Sequence, residues 1–201
     1  VVAVIPTKTR SMPADTSAAK PVDAPPLAPL ALKSKLAPTP RRAPAYAAKV
    51  KNAAGQEITL GCPKATRALV ALMNVHAVNG GAACHWGGPA AFAEIMSAVH
   101  GLMFASQREW HEAFNFANDA GHTENGIYAL RANYGFDKMT FEDLKGFRGI
   151  QSKLTGHGES HLNPEGVLLS NGPLGSALPQ AQGLAMADRA AKRDQIGRAH
   201  V

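Results

Sequence analysis

Three glycine-bearing turns between Asn118 and Ala187 hold the side chains best suited to chemistry. They are Ala120-Gly121-His122, Thr155-Gly156-His157 and Asn171-Gly172-Pro173-Leu174-Gly175, the last opening an alanine-rich segment. Glycine lets backbone approach a ligand closely, imidazole moves protons near neutral pH, and a helix start offers free N–H groups to a polar ligand. The spacing therefore fits a site that binds a polar cofactor and moves protons beside it.

Competing motifs are weaker. Gly156-His157-Gly158-Glu159-Ser160-His161 breaks the dinucleotide fingerprint at its last glycine, and the chain has neither a P-loop nor a Gly-x-Ser-x-Gly elbow. His157 and His161 have the spacing of a helical zinc pair, but Gly156, Gly158 and Pro164 argue against a helix through them. Cys62 and Cys84 lack metal or redox spacing, which points to a reducing compartment without a disulfide framework. Cys84 adjoins His85, yet neighbouring side chains rarely face each other, so a packed cysteine is favoured over a thiol nucleophile.

The elements that must position these turns alternate between helix and short extended segments. Lys64–Val78 reads as an amphipathic helix presenting Leu69, Leu72, Met73 and His76, stopped by Asn79-Gly80-Gly81. Pro89 starts a second helix with Phe92, Ile95, Met96, Val99 and Met103 as its apolar stripe. Glu112–Asn118 reads as a strand, Thr123–Tyr134 as a helix ended by Gly135, and Thr140–Asp143 as a capping box that turns Leu144 and Phe147 inward. Val167–Ser170 reads as a buried strand and Gly175–Lys192 as a helix. This order predicts an α/β fold, a partial three-layer parallel-sheet domain whose turns meet at the carboxyl ends of strands.

Charge and proline are concentrated at one end. The 201-residue chain carries a formal net charge of +6, but residues 1–51 hold nine Lys/Arg against Asp15 and Asp23 and nine of the fourteen prolines. The remaining residues hold twelve basic against thirteen acidic side chains, so the folded part has no positive excess and nucleic-acid binding is not expected. Residues 1–51 are expected to be a disordered Pro/Ala/Lys-rich tail, either a transit peptide or a linker. The first reading places the protein in a plastid or mitochondrion, the second in the cytoplasm. No apolar run approaches the roughly 18 residues of a membrane span, so no membrane partner is expected. Residues 196–201, Ile-Gly-Arg-Ala-His-Val, match one reading frame of a common sequencing adapter. They are expected to carry no structural or functional information, which leaves 52–195 as the folded unit.

Four motifs in a fixed order resemble the N-terminal part of the thiamine-diphosphate-binding domain of transketolase and its relatives, from Arg67 to Arg193. Cys84-His85-Trp86-Gly87-Gly88 stands where that family has Ser-Gly-His-Pro-Gly, with the histidine kept. Asp119-Ala120-Gly121-His122 followed by Tyr128 resembles its Asn-Gly-His turn. Leu144–Arg148 with Ser152–Glu159 resembles its second Gly-His stretch, and Gly166-Val167 with Gly172–Gly175 its Pro-Gly-Val and Gly-Pro-Leu-Gly run. The resemblance implies two-carbon ketol transfer between sugar phosphates on thiamine diphosphate and Mg²⁺, in a homodimer when full length. It implies that His85, His122 and His157 act near the reacting carbon, and that Gly172, Pro173 and Leu174 pack against the cofactor.

The departures count as well. The family's Gly-Asp-Gly motif and downstream Asn, which hold Mg²⁺, and the glutamate that activates the aminopyrimidine are missing from this sequence, so the chain is expected to be an inactive fragment holding part of a site. The altered first motif and Leu154-Thr155 leave room for a 2-oxoacid dehydrogenase E1-like thiamine enzyme. A noncatalytic interaction module using the Pro-rich tail is the weaker alternative.

Overall fold

The computed structural model describes residues 43–105, 111, 114–191 and the backbone of 198–200. Its centre is the helix Glu124–Tyr134, here α4, in which every residue is buried. Helices that are buried all round pack on more than one side, and α4 joins two apolar clusters. Ile127, Leu130 and Tyr134 face Phe92, Met96, Met103, Phe116 and Leu168. Tyr128, Ala129 and Ala132 face Leu69, Val70, Met73, Leu144, Phe147 and Leu154. Gly135 ends α4 as expected, in the left-handed conformation at φ 64°, where a side chain is disfavoured and glycine is the usual helix stop.

The helices around α4 follow the apolar periodicity with small shifts. Pro63–Asn79 (α1) starts with proline in its first turn and buries Leu69, Val70, Met73 and Ala77. His76 is exposed rather than part of the buried stripe. The second predicted helix is split into Gly87–Ala91 (α2) and Ala93–Phe104 (α3) at Phe92. Phe92, Met96 and Met103 go to the core, while Ile95 stays exposed. The capping box forms with aspartate in the acidic position. Asp143 Oδ2 accepts from the Thr140 N–H and hydroxyl, both at 2.7 Å, and a 3-10 turn at Asp143–Gly146 buries Leu144.

Two expectations about strands are corrected. The segment 167–170 forms no strand: the Val167 N–H donates to Asn163 O and the Asn171 N–H to Gly158 O, so the backbone folds onto its own preceding loop while Val167 and Leu168 remain buried. The tail also ends earlier than residue 51. Ala47–Lys51 (β1) pairs antiparallel with Glu57–Gly61 (β2). Its turn is closed by Asn52 Oδ1, which accepts from the Ala54 and Gln56 N–H groups. Asn133 clamps the hairpin to α4: its Oδ1 accepts from the Tyr46 N–H at 2.7 Å, its Nδ2 donates to Tyr46 O at 2.8 Å, and its carbonyl accepts from the Ala45 N–H. Composition could not reveal this anchor, because it lies more than eighty residues away. The rest of the predicted tail, 1–42, lies outside the described residues.

The α/β class holds, with α1–α3 packed against α4 and a small parallel ladder beside α5. Asn115–Ala117 (β3) pairs in parallel with Arg198–His200 (β4). This pairing uses the terminal segment expected to contribute no structure. The predicted C-terminal helix is present as Ala177–Ala190 (α5). It starts after Gly175, whose φ of 81° is incompatible with a helix.

Candidate functional site

The three glycine turns converge. Gly121 lies so close to its neighbours that a Cβ there would sit 2.5 Å from Asn171 Oδ1, 2.8 Å from the Gly172 nitrogen and 2.9 Å from His157 Cδ2. Only a residue without a side chain lets the His122 turn, the His157 turn and Gly172 meet at this point. Gly121→Ala is expected to cost about 2 kcal/mol by overpacking, measured as a drop in the unfolding midpoint in urea. An unchanged midpoint would show that the turns do not meet.

Asn171 fastens these turns together. Its Oδ1 accepts from the Gly158 N–H at 2.7 Å, and its Nδ2 donates to Asn118 O at 2.9 Å and to Glu124 Oε2 at 3.3 Å. Asn118 Nδ2 donates to the same Glu124 oxygen at 2.8 Å, and the Thr123 hydroxyl donates to Ala120 O at 2.6 Å. Asn118, Thr123, Glu124 and Asn171 are all buried. A buried polar network is stable when its members are paired, and it then fixes one geometry. The sequence places Asn171 within a turn and Thr123 at a helix start, but assigns neither a role in this network and Glu124 none at all. Their signal was partial: Asn118-Asp119 precede the Gly121-His122 turn and Asn171 precedes Gly172-Pro173, but Thr155 precedes Gly156-His157.

The histidines cluster around this frame. His85 and His122 have ring centroids 4.8 Å apart, and the His157 ring borders Gly121 and Gly172. Partial burial, followed by the charges of His85 and His157, holds the His122 pKa below the usual imidazole value. His122 therefore stays neutral further into the acid range, able to accept a proton at one ring nitrogen and donate from the other. His85 is exposed, but its backbone is fixed: the side-chain amides of Asn74 and Asn125 both donate to its carbonyl, at 2.9 and 3.0 Å.

The start of α5 differs from the expectation that it offers free N–H groups. Asp119 occupies them, with Oδ1 accepting from the Ala177 and Leu178 N–H groups and Oδ2 from Gly175. A carboxylate at a helix N-terminus is favoured by the helix dipole, so an anionic ligand meets a neutralised helix end here. Asp119→Ala is expected to destabilise the chain by about 1 kcal/mol, as loss of an N-cap does. Asp119→Asn should recover most of that in thermal unfolding, and equal losses for both variants would discount the cap. Gly172 borders His157, whereas Pro173 and Leu174 are exposed, Leu174 by 72 %. Among the described residues no group of three His, Cys, Asp or Glu is placed to hold a metal ion.

This constellation can be set beside known proteins. The family model for transketolase, thiamine diphosphate binding domain, matches residues 63–199, which include all three glycine turns. The chain belongs to the transketolase family. The transketolase of Aquifex aeolicus is 42 % identical over 80 residues, 40 % of this chain and 11 % of that protein. Transketolase 2 of Vibrio parahaemolyticus is 36 % identical over 103 residues, 51 % of this chain and 15 % of its own length. The Rhodobacter capsulatus transketolase is 32 % identical over 125 residues, 60 % of this chain and 18 % of that protein. A crystal structure of a Pichia stipitis transketolase mutant superposes with a TM-score of 0.51 and 32 % identity, covering 65 % of this chain and 19 % of that one. The chain thus spans less than a fifth of the length of these transketolases. The β1–β2 hairpin precedes the segment matched by the family model.

Proposed function

We propose that this chain is the N-terminal part of the cofactor-binding domain of a transketolase that moves a two-carbon ketol unit between sugar phosphates. The observation that carries this reading is the meeting of the His122 turn, the His157 turn and Gly172 around Gly121, inside the segment matched by the family model. When bound, thiamine diphosphate supplies the carbon nucleophile for such a transfer. The glycine cradle at 121 and 172 gives close backbone access, and the exposed Pro173-Leu174 edge offers apolar surface to a ring. His122 and His157 bind substrate hydroxyls and move protons beside the reacting carbon, and His85 extends this row toward solvent. Mg²⁺ belongs to residues beyond this segment, and none of the assigned steps passes through it. The chain alone is proposed to be inactive, with the working enzyme a homodimer of the longer protein.

The test uses the full-length protein. Ketol transfer from xylulose 5-phosphate to ribose 5-phosphate that depends on added thiamine diphosphate, and falls at least about a hundredfold in His157→Ala, is the expected result. Decarboxylation of pyruvate without ketol transfer would replace this reading with an oxoacid enzyme. Absence of cofactor binding would favour a noncatalytic module.

A further inference from the structure

The sequence holds three Asn-Gly pairs, at 79–80, 125–126 and 171–172. An asparagine before glycine carries a latent reaction. The glycine nitrogen meets no neighbouring side chain as it approaches the asparagine amide carbon, and it can close on that carbon to form a five-membered imide. A pair reacts only if its side chain can turn and its backbone nitrogen can be released. The structure separates the three pairs on both counts.

Two pairs are locked. Asn171 is buried and has both ends of its amide bonded among the glycine turns. Asn125 is buried inside α4. Its Nδ2 donates to Asn74 Oδ1 at 3.2 Å and to His85 O at 3.0 Å, and its Oδ1 accepts from the Gly126 N–H at 3.0 Å. A Cβ at Gly126 would lie 2.9 Å from Phe92 Cζ, so this stretch of backbone has no room to shift.

Asn79-Gly80 is the opposite case. It closes α1, and Asn79, Gly80 and Gly81 are all exposed. Among the described residues the Asn79 side chain has no hydrogen-bond partner. The Gly80 N–H donates to His76 O at 3.0 Å, at the end of the helix, where fraying begins. Gly80 also lines a cleft of about 720 Å³ with His76 and Ala82, so water reaches the pair.

We propose that Asn79 is a site of spontaneous deamidation and isoaspartate formation. The Gly80 nitrogen, once it has lost its proton to hydroxide, bonds to Asn79 Cγ; the Cγ–Nδ2 bond breaks, and the amide leaves as ammonia with a proton from water. A second water then opens the imide at either carbonyl, giving aspartate or isoaspartate. Both products place a carboxylate at the carboxyl end of α1, where the helix dipole disfavours it. Isoaspartate also adds a methylene to the main chain, inside the turn that the Ala82 N–H closes on Ala77 O at 2.9 Å. That turn carries the chain from α1 toward His85.

The experiment ages the folded 201-residue chain in mildly alkaline buffer, with a denatured sample alongside, and maps both by proteolysis and mass spectrometry. In the folded chain Asn79 is expected to deamidate at a rate proportional to hydroxide, while Asn125 and Asn171 stay intact. In the denatured chain all three should react. Gly80 has φ −80°, and a Cβ there would meet only Ala77 O and His76 O, at 3.4 and 3.5 Å. Gly80→Ala therefore keeps the turn and should slow the reaction about tenfold by crowding the nitrogen. Asn79 intact in the folded chain while the denatured chain reacts, earlier reaction at Asn125 or Asn171, or an unchanged rate in folded Gly80→Ala would overturn the proposal. If Gly80→Ala does not fold, the order of reaction in the wild-type chain still decides.

Discussion

Taking the chain from neutral pH to about pH 4 is expected to remove about 3 kcal/mol of stability through His100 alone. His100 is buried in α3 between Phe104 and Phe116, with ring centroids 5.8 and 4.9 Å away. Its Nδ1 donates to the Met96 carbonyl at 3.0 Å, because a carbonyl can only accept. Burial first, and the positive charge of Arg131 second, push its pKa from 6.5 down to about 4. The folded pKa lies below the unfolded one, so the unfolded chain binds the proton first as pH falls. The stability from a neutral His100 is complete above about pH 6.5 and lost as pH drops to about 4. Urea unfolding across this range should show the loss in the wild-type chain and a flatter profile in His100→Gln. Parallel profiles for the two proteins would mean that His100 does not control the slope.

The second large effect is at Asn171. Asn171→Ala leaves the Gly158 N–H and the Asn118 carbonyl without the partners they have at 2.7 and 2.9 Å, and removes one of two amide donors from the Glu124 carboxylate. Each unmet buried group costs about 1–3 kcal/mol, so a loss of about 3 kcal/mol is expected. Asn171→Asp is the sharper probe. It keeps an oxygen for the Gly158 N–H but faces Glu124 with a second carboxylate, so at neutral pH it should be no better than alanine. At low pH, where one carboxyl takes up a proton, Asn171→Asp should recover relative to Asn171→Ala. If Asn171→Asp matched the wild type at neutral pH, the hub role would be wrong.

Much of this was legible in the sequence for physical reasons. Gly135 stopped α4 because left-handed backbone there needs glycine, and Thr140–Asp143 formed its box because both partners lie within one turn. The glycine turns were expected to meet at the carboxyl ends of strands; they do meet around Gly121, although the segment 167–170 before Gly172 is not a strand. What was not legible depends on distant partners. The 167–170 segment has strand-like composition, yet its donors are taken by its own preceding loop. Asp119 reads as part of a turn, but its work is to cap a helix more than fifty residues later. Glu124 and Asn171 are polar residues whose burial only the assembled turns create.

The Asn133 clamp has a consequence for cooperativity. Gly61 donates to the Tyr134 hydroxyl at 2.9 Å while Asn133 holds Tyr46 through both ends of its amide. Opening the hairpin therefore disturbs the carboxyl end of α4. In deuterium exchange, the amides of Tyr46 and Gly61 should become labelled together with those of α4, as one opening unit. A chain begun at Pro63, where the family match starts, would leave the fully buried Asn133 side chain without these partners. The contacts that hold α4 thus extend upstream of the segment matched by the family model.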